Sequence, residues 1–236
     1  MLGMLWLVSP SSRDQGGQPV PNMTAIQDVM SKLFDGVNGY SISHADRAGG
    51  REGEQAFTYG EMLLEPFARI LEAVKPHPGE TFYDLGSGTG KVLVMADQLF
   101  PFASVTGIEF LPTLHAKATD ILMLYEHEFR TALPAPRGPV ISKHGDMLKQ
   151  DFSSADIIFV HATCMPASLI DALGEKVKAC KPSTRIVLIS RGFFGSPHFN
   201  CSGQFEYTNA WNTQSICYIY QPKAEIAAVR PQTVMA

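Results

Sequence analysis

The sequence has few charged residues and no segment in which basic residues accumulate. Charged side chains make up 18% of the 236 residues, the formal net charge is -4 at pH 7, and no run of five Lys and Arg residues occurs. The chain therefore has no global electrostatic attraction for nucleic acid. A nucleic-acid partner would have to be recognised by a local patch, and the sequence carries no strong signature of one.

Closely spaced cysteine pairs are also missing. Cys164, Cys180, Cys201 and Cys217 contain no Cys-x-x-Cys arrangement, which leaves a zinc knuckle or a redox motif unsupported and a metal site unexpected. We expect reduced, partly buried thiols.

Long apolar runs are absent as well. A membrane-spanning helix needs about 20 consecutive apolar residues. The apolar opening Met1 to Val8 is far shorter than that and has no basic residues before it, so it makes a poor signal peptide. We therefore expect no membrane segment and an intracellular protein, cytoplasmic or nuclear.

The composition predicts a flexible N-terminal segment over residues 1–22 and a C-terminal tail over 223–236. Between them, residues 23–78 are expected to form a helical extension with a cofactor-covering loop, and residues 79–222 the main domain. Apolar spacing predicts one helix from Thr24, which we expect to be its cap, and another over 61–74. Residues 35–57 lack periodicity and are predicted to be irregular.

From residue 81 onward, strand and helix patterns alternate. We predict strands over 81–85, 104–109, 139–143, 155–160 and 184–190, and helices over 90–99, 112–129 and 166–180. Such alternation indicates an α/β fold with a mostly parallel sheet. Two β-rich segments, 204–210 and 213–220, are separated only by Trp211 and Asn212 and should form an antiparallel hairpin. Five parallel strands followed by a hairpin are typical of the Rossmann-like class I methyltransferase fold.

A glycine-rich loop follows the first of these strands. Asp84 ends the strand, Gly86, Ser87, Gly88 and Gly90 form the loop, and Lys91 begins the next helix. Glycines at this point allow a sharp turn and a close approach of a ligand to the helix N-terminus. The third glycine of the dinucleotide pattern is replaced by Lys91, and a carboxylate at Asp84 suits a cationic amino group better than a pyrophosphate. The loop therefore favours S-adenosyl-L-methionine over a nicotinamide or flavin dinucleotide, or a turn without ligand.

The ends of the next three strands carry further candidates. Glu109 follows the second strand, where an acid can accept hydrogen bonds from both ribose hydroxyls. Asp146 could accept from the adenine amino group, and Met147 could pack on the ring, or Asp146 could belong to an ordinary turn. His161 ends the fourth strand and has a pKa naturally near neutrality, so it is a candidate for a catalytic or substrate-orienting role as well as for a wall residue.

Several of these segments together resemble the non-SET histone-lysine methyltransferases, the disruptor-of-telomeric-silencing family. The likeness lies in Thr58-Tyr59-Gly60-Glu61, in Phe82 to Lys91, in Gly107-Ile108-Glu109 and in Gly145-Asp146-Met147-Leu148, and it covers roughly residues 57 to 195. The glycine motif is shared by many methyltransferases, whereas the preceding Tyr-Gly-Glu is more specific.

The resemblance implies methyl transfer to a lysine amine of a protein. It implies that Tyr59 and Glu61 fold over the methionine part of the cofactor, with Asp84, Gly86, Glu109 and Asp146 as further contacts, and it makes Tyr59 a candidate catalytic residue beside His161. The family carries Asn-Asn-Phe-Ala-Phe after the fourth strand, whereas this chain has His161-Ala162-Thr163-Cys164-Met165. A small-molecule or RNA methyltransferase and a non-catalytic binding module therefore remain alternatives at this stage.

Overall fold

The computed structural model describes residues 22–48, 59–134, 136–208 and 214–223. Its centre is a seven-stranded sheet in the order β3-β2-β1-β4-β5-β7-β6. The strands are β1 Thr81–Leu85, β2 Ser104–Glu109, β3 Val140–His144, β4 Ile157–Val160, β5 Arg185–Ile189, β6 Phe199–Thr208 and β7 Gln214–Pro222. The first five strands are parallel, and β7 runs antiparallel to both β5 and β6.

Helices cover both faces of the sheet. They are α1 Met23–Phe34, α2 Gly39–Ala48, α3 Leu64–Val74, α4 Lys91–Leu99, α5 Pro112–Glu128 and α6 Ala167–Val177, with a short 3-10 helix at Arg130–Ala132. Apolar residues of α1, α3, α4 and α5 share one core cluster with the sheet, and those of α6 share the other. The mostly parallel sheet thus has one apolar layer on each face, which confirms the predicted Rossmann-like α/β architecture.

Strand order places a crevice at the carboxyl edge of the sheet. Strands β2 and β3 lie on one side of β1, and β4 and β5 lie on the other, so the order reverses between β1 and β4. In open α/β sheets, ligands bind outside the carboxyl ends of the strands at such a reversal. The loops after β1, β2, β3, β4 and β5 therefore surround the candidate ligand site.

The two N-terminal helices differ from expectation. The α1 cap is Asn22 rather than Thr24, because the Asn22 side chain accepts a hydrogen bond from the Ala25 amide at 3.1 Å. Residues 39–48, expected to be irregular, form α2. The sequence of α2 is polar and shows little periodicity, so contacts with α5 stabilise this helix. Asp46 accepts a hydrogen bond from the Thr113 amide at 3.0 Å and another from the Thr113 hydroxyl. Residues 49–57 of the expected irregular segment lie outside the described residues.

Helix α3 begins at Leu64, so the predicted start at Glu61 is wrong. Pro66 explains the difference. A helix from Glu61 would place Pro66 in its interior, where the missing amide would break the bond to Met62, whereas a start at Leu64 places Pro66 in the first turn. Residues 59–63 are left free to extend across the glycine loop.

The hairpin is longer than the sequence pattern indicated. Strand β6 begins at Phe199 rather than at 204, and a bulge lies between Cys201 and Gly203. Asn200 to Gly203 have low strand propensity, so pairing with β7 rather than local preference makes them a strand. The predicted turn at Trp211 and Asn212 lies outside the described residues. No helix in the described ranges is long and apolar enough to cross a membrane.

Candidate active site

The glycine loop after β1 forms the floor of the crevice. Gly86, Gly88 and Gly90 all have positive φ angles, and the amides of Gly86 and Ser87 donate to the Ile108 carbonyl at 2.8 and 3.2 Å. This conformation ties the loop to the end of β2. It also brings the N-terminus of α4 to the crevice, where its amides can interact with a negatively charged group.

Among the three glycines of this loop, Gly88 has the least room for a side chain. Its φ is +56°, and a Cβ there would lie 2.6 Å from the Cε2 atom of Tyr59. Only glycine combines that backbone conformation with so close an approach. A close approach of a ligand to the loop is expected from the sequence; the neighbour that the structure shows at Gly88 is the ring of Tyr59.

Glu109 closes the loop from the end of β2. Its Oε2 accepts from the Gly88 amide at 2.7 Å, and its Oε1 accepts from the Leu111 amide at 2.8 Å. Burial raises the pKa of the Glu109 carboxyl, and the hydrogen bonds from these amides act against that rise. A carboxylate has about four acceptor positions, and the amides of Gly88, Leu111 and Phe110 all interact with this one. The acceptor capacity that remains is available to the hydroxyls of a bound ligand.

Asp84 lies beside Glu109 and is almost fully buried, with 2% exposure. Burial, followed by the nearby Glu109 carboxylate, raises its pKa well above the ordinary value. In the described part of the chain, neither acid forms an ion pair with a Lys, Arg or His. Among the described residues, the crevice thus contains two buried acids and no cation that pairs with them.

The buried acid Asp97 differs from Asp84 and Glu109 in having a cationic partner. It is fully buried near the opposite edge of the sheet, where Arg130 Nε lies 2.8 Å from its Oδ2 and Tyr125 donates to the same oxygen at 2.7 Å. Buried carboxylates are ordinarily neutralised in this way. The lack of such a partner at Asp84 and Glu109 therefore fits a site that receives a cationic ligand.

Tyr59 covers the loop. Its hydroxyl lies 2.9 Å from Thr89 Oγ1, its ring packs between Gly88 and Gly39, and Tyr40 meets it edge-on with centroids 5.1 Å apart. Burial raises the pKa of Tyr59 far above its ordinary value, so the phenol keeps its proton at neutral pH. Gly39 and Tyr40 of α2 also belong to this cover, and no pattern in the sequence predicts their part in it.

Glu61 and Lys91 form an ion pair at the rim of the cover. The Lys91 Nζ lies 2.8 Å from Glu61 Oε2 and 5.4 Å from the centre of the Phe34 ring. Glu61 Oε1 also accepts from the Tyr59 hydroxyl at 3.2 Å. The pair therefore links the covering segment to the start of α4 and to α1.

A cleft of about 590 Å³ lies next to this rim, between α1, residues 62–64 and α4. Lys91 is the sole predicted site residue among those that line it, and neither Asp84 nor Glu109 faces it. The cleft is therefore adjacent to the acidic crevice rather than part of it.

The end of β3 reaches the crevice through its backbone. The Gly145 amide donates to the Glu109 carbonyl at 2.8 Å, and Asp146 Oδ1 accepts from the Leu148 amide at 2.9 Å. Met147 packs against the core cluster on the α6 side. Asp146 thus stabilises its own turn, with acceptor positions left on its carboxylate.

The loop after β4 lies on the other side of β1. Burial lowers the pKa of His161 to about 4, so its imidazole is neutral at pH 7. The Met165 Cε lies 3.7 Å from where a Cβ on Gly86 would be, which places this loop against the glycine loop. Thr163 Oγ1 donates to Ser190 Oγ at 3.1 Å, a contact that the sequence did not reveal.

Aromatic residues beyond β5 divide into two groups. Phe193 and Tyr220 are buried in the core, whereas Phe194 is 66% exposed and meets Tyr218 edge-on at 5.1 Å. Phe194 therefore lies outside the core. Trp211 lies outside the described residues.

Metal-ligand clusters of three or more His, Cys, Asp and Glu side chains do not occur within the described ranges. All four cysteines are free, and Cys180 and Cys217 are buried.

Comparison with known proteins adds a family to this geometry. The family model described as "Histone methylation protein DOT1" matches residues 52–206. A "Histone-lysine N-methyltransferase, H3 lysine-79 specific" of Debaryomyces hansenii is 27% identical over 166 residues, covering 65% of this chain and 14% of that protein. The chain thus spans about one seventh of the length of the curated relative that it matches.

Solved structures share the fold at low identity. A magnesium protoporphyrin IX methyltransferase of Synechocystis PCC 6803, with bound SAM, aligns with a TM-score of 0.53 at 14% identity, over 83% of this chain and 90% of that one. A SAM-dependent methyltransferase of Geobacter sulfurreducens, in complex with S-adenosyl-L-homocysteine, gives a TM-score of 0.50 at 13% identity, over 78% and 98%. At this identity the likeness concerns the fold.

The family match covers the glycine loop, both buried acids, the covering Tyr59 and the loop after β4, so the site and the match coincide. This chain belongs to the DOT1 histone methylation protein family.

Proposed function

We propose that this chain is a methyltransferase that binds S-adenosylmethionine in the acidic crevice and transfers its methyl group to a lysine amine of a protein, with a histone as the candidate substrate. The observation that carries the proposal is the buried acid pair Asp84 and Glu109, which flanks the glycine loop and forms no ion pair with any Lys, Arg or His in the part of the chain that the structure describes.

The charge and shape of the crevice support this cofactor. S-adenosylmethionine carries a sulfonium and an ammonium, and both would lower the cost of keeping Asp84 and Glu109 ionised away from water. A pyrophosphate would raise that cost. The free acceptor positions of Glu109 suit ribose hydroxyls, and Asp146 suits the adenine amino group on the neighbouring strand end.

Residues at the rim are proposed to hold the methionine part. Glu61 and Lys91 carry opposite charges within 2.8 Å of each other, and the cofactor's ammonium and carboxylate carry the same two charges. Tyr59 excludes water from the glycine loop, and the backbone of Gly86, Ser87, Gly88 and Gly90 gives the cofactor close access to α4.

The cofactor supplies an electrophilic methyl group: the lysine nitrogen forms a bond to that carbon while the carbon–sulfur bond breaks and its electron pair remains on sulfur. The nitrogen must be neutral to attack, and its proton passes to water. His161, with a pKa near 4, and Tyr59, whose pKa is raised, are both unsuited to take that proton at pH 7. Their proposed roles are therefore to position and cover the reactants, and the rate derives mainly from alignment.

Family membership favours a protein acceptor over an RNA or a small molecule, and over a module that no longer transfers methyl groups. The net charge of -4 offers no general attraction to nucleosomes, so a local surface must recognise the substrate. A histone substrate would place the protein in the nucleus, or in the cytoplasm before histone import.

A transfer assay tests the proposal. The chain is incubated with tritiated-methyl S-adenosylmethionine and recombinant nucleosomes, free core histones or total RNA, and modified lysines are located by mass spectrometry. We expect label on a histone lysine, and loss of label in a Glu109→Ala variant. A Glu72→Gln variant on the exposed face of α3 serves as the control. Cofactor binding without label in any protein would refute the proposed activity.

A further inference from the structure

Ser190, the first residue after β5, has an unfavourable backbone conformation. Its φ is +64°, and in the described ranges the one other non-glycine residue with positive φ is Lys75, which ends α3. The Ser190 amide donates to the Ile216 carbonyl of β7 at 2.7 Å, which fixes this conformation. Glycine would adopt the same φ without strain. A side chain retained under strain at a strand end indicates a use for that side chain.

The Ser190 side chain is engaged across the sheet edge. Its Oγ accepts a hydrogen bond from Thr163 Oγ1 at 3.1 Å, and both residues are partly exposed. Thr163 belongs to the turn that follows β4, and β4 pairs with β5 up to Val160 and Leu188. The two hydroxyls therefore stand side by side at the carboxyl ends of neighbouring strands.

The hydroxyl pair of Thr163 and Ser190 lies on the other side of β1 from the strand ends that carry Glu109 and Asp146. Glu109 and Asp146 follow β2 and β3, on one side of β1, whereas Thr163 and Ser190 follow β4 and β5, on the other. Met165, two residues after Thr163, lies next to the glycine loop, with its Cε 3.7 Å from where a Cβ on Gly86 would be. If the adenosine occupies the β2 and β3 side, the second reactant is left with the β4 and β5 side.

We propose that Thr163 and Ser190 orient the amine that receives the methyl group. This inference rests on the proposed function. Thr163 gives its proton to Ser190, so the lone pairs of Thr163 Oγ1 remain free to accept an N–H of the neutral amine. Such a bond turns the nitrogen lone pair toward the methyl group and leaves it unprotonated. The pair holds the acceptor and takes no proton from it.

The experiment compares three variants with a matched control. Ser190→Ala removes the hydroxyl, Ser190→Gly removes the hydroxyl and the strain, and Thr163→Val removes the acceptor lone pairs. Ser183→Ala removes an exposed serine hydroxyl before β5, at the amino edge of the sheet. Steady-state methyl transfer to recombinant nucleosomes gives kcat/KM for the acceptor. Titration calorimetry gives the Kd for S-adenosylmethionine, and thermal melts report the folded state.

We expect all three variants to lower kcat/KM for the nucleosome about tenfold, the effect of one lost hydrogen bond. The Kd for S-adenosylmethionine should stay within about twofold, because the pair makes no contact with the donor. Ser190→Gly should melt at or above the temperature of the unmodified chain while losing activity, which separates orientation from stability. Ser183→Ala should retain full activity.

Unchanged kcat/KM in Ser190→Ala and Ser190→Gly would overturn the inference and leave the proposed function standing. Retained activity in Ser190→Gly alone would assign the effect to backbone strain and overturn the hydroxyl role. A parallel loss of S-adenosylmethionine affinity would move the pair to the donor site and also overturn it. No transfer by the unmodified chain despite tight cofactor binding would refute the proposed function together with this inference.

Discussion

The Glu109 carboxylate, at the end of β2, accepts a hydrogen bond from the Gly88 amide at 2.7 Å. This contact joins the residue proposed to hold the ribose to the loop proposed to hold the methionine part. The conformation of the loop and the recognition of the cofactor therefore depend on one side chain.

Replacement of Glu109 by Ala should weaken S-adenosylmethionine binding by about 1–3 kcal/mol, because ribose hydroxyls lose their acceptor and the Gly88 amide is left unpaired. Titration calorimetry measures the change, and Glu72→Gln is the control on an exposed helix face. An affinity equal to that of the unmodified chain would show that the ribose binds elsewhere.

Replacement of Asp84 by Asn should stabilise the free protein at pH 7 by about 1–2 kcal/mol while it weakens cofactor binding, because the buried carboxylate costs folding energy until a cation arrives. The pKa of Asp84 is raised in the folded state, so the folded state holds its proton at a pH where the unfolded chain has lost it. Its contribution to the free energy of unfolding therefore falls as the pH rises above the unfolded pKa of about 3.9.

The gain from Asp84→Asn should accordingly be absent at pH 3 and grow as the pH rises toward neutrality. Urea unfolding of both forms across this range measures it. A variant that is less stable than the parent at pH 7 would contradict the view that Asp84 is an uncompensated acid.

The Glu61 and Lys91 pair should contribute measurably to stability. Its side chains are 21% and 23% exposed, and a double-mutant cycle with Glu61→Gln and Lys91→Gln should give a coupling of about 0.5–1 kcal/mol. The more exposed pair of Glu175 and Lys178, at the C-terminal end of α6, provides the comparison and should give a smaller coupling energy. Equal coupling in the two cycles, or no decrease at high salt, would argue against the Glu61 and Lys91 contact.

His161 should not act as a base. Burial lowers the pKa of His161 to about 4. The pH dependence of the methyl-transfer rate should therefore contain no ionisation near pH 6.5 that belongs to His161, and the His161→Asn variant should have the same pH profile as the unmodified chain. We expect that variant to keep its cofactor affinity and to change kcat by less than tenfold. If the pH–rate profile of the unmodified chain rises near pH 6.5 and that rise is lost in His161→Asn, the proton transfer belongs to this residue.

The central strands and the glycine loop could be predicted because local signals and global fold agree there. Apolar runs ending in Asp84 and Glu109, with glycines between them, dictate both the strands and the turn. The succession of five parallel strands along the chain could be predicted from this alternation, and the final hairpin from two neighbouring β-rich segments. Strands β1 and β2 have the predicted bounds.

Features created by tertiary contacts could not be predicted in the same way. Helix α2 depends on the hydrogen bonds between its Asp46 and Thr113 at the start of α5, and the bulged half of β6 depends on β7. The packing of Tyr59 between two glycines and the φ of Ser190 are equally invisible in a pattern of residue types, because both depend on residues that are distant in sequence.

Titration calorimetry of the unmodified chain with S-adenosylmethionine is the most direct test of the proposed cofactor site. We expect saturable binding of one molecule per chain, with no comparable heat from a nicotinamide dinucleotide. An absence of binding at high micromolar S-adenosylmethionine would contradict the assignment of the crevice formed by Asp84, the glycine loop and Glu109.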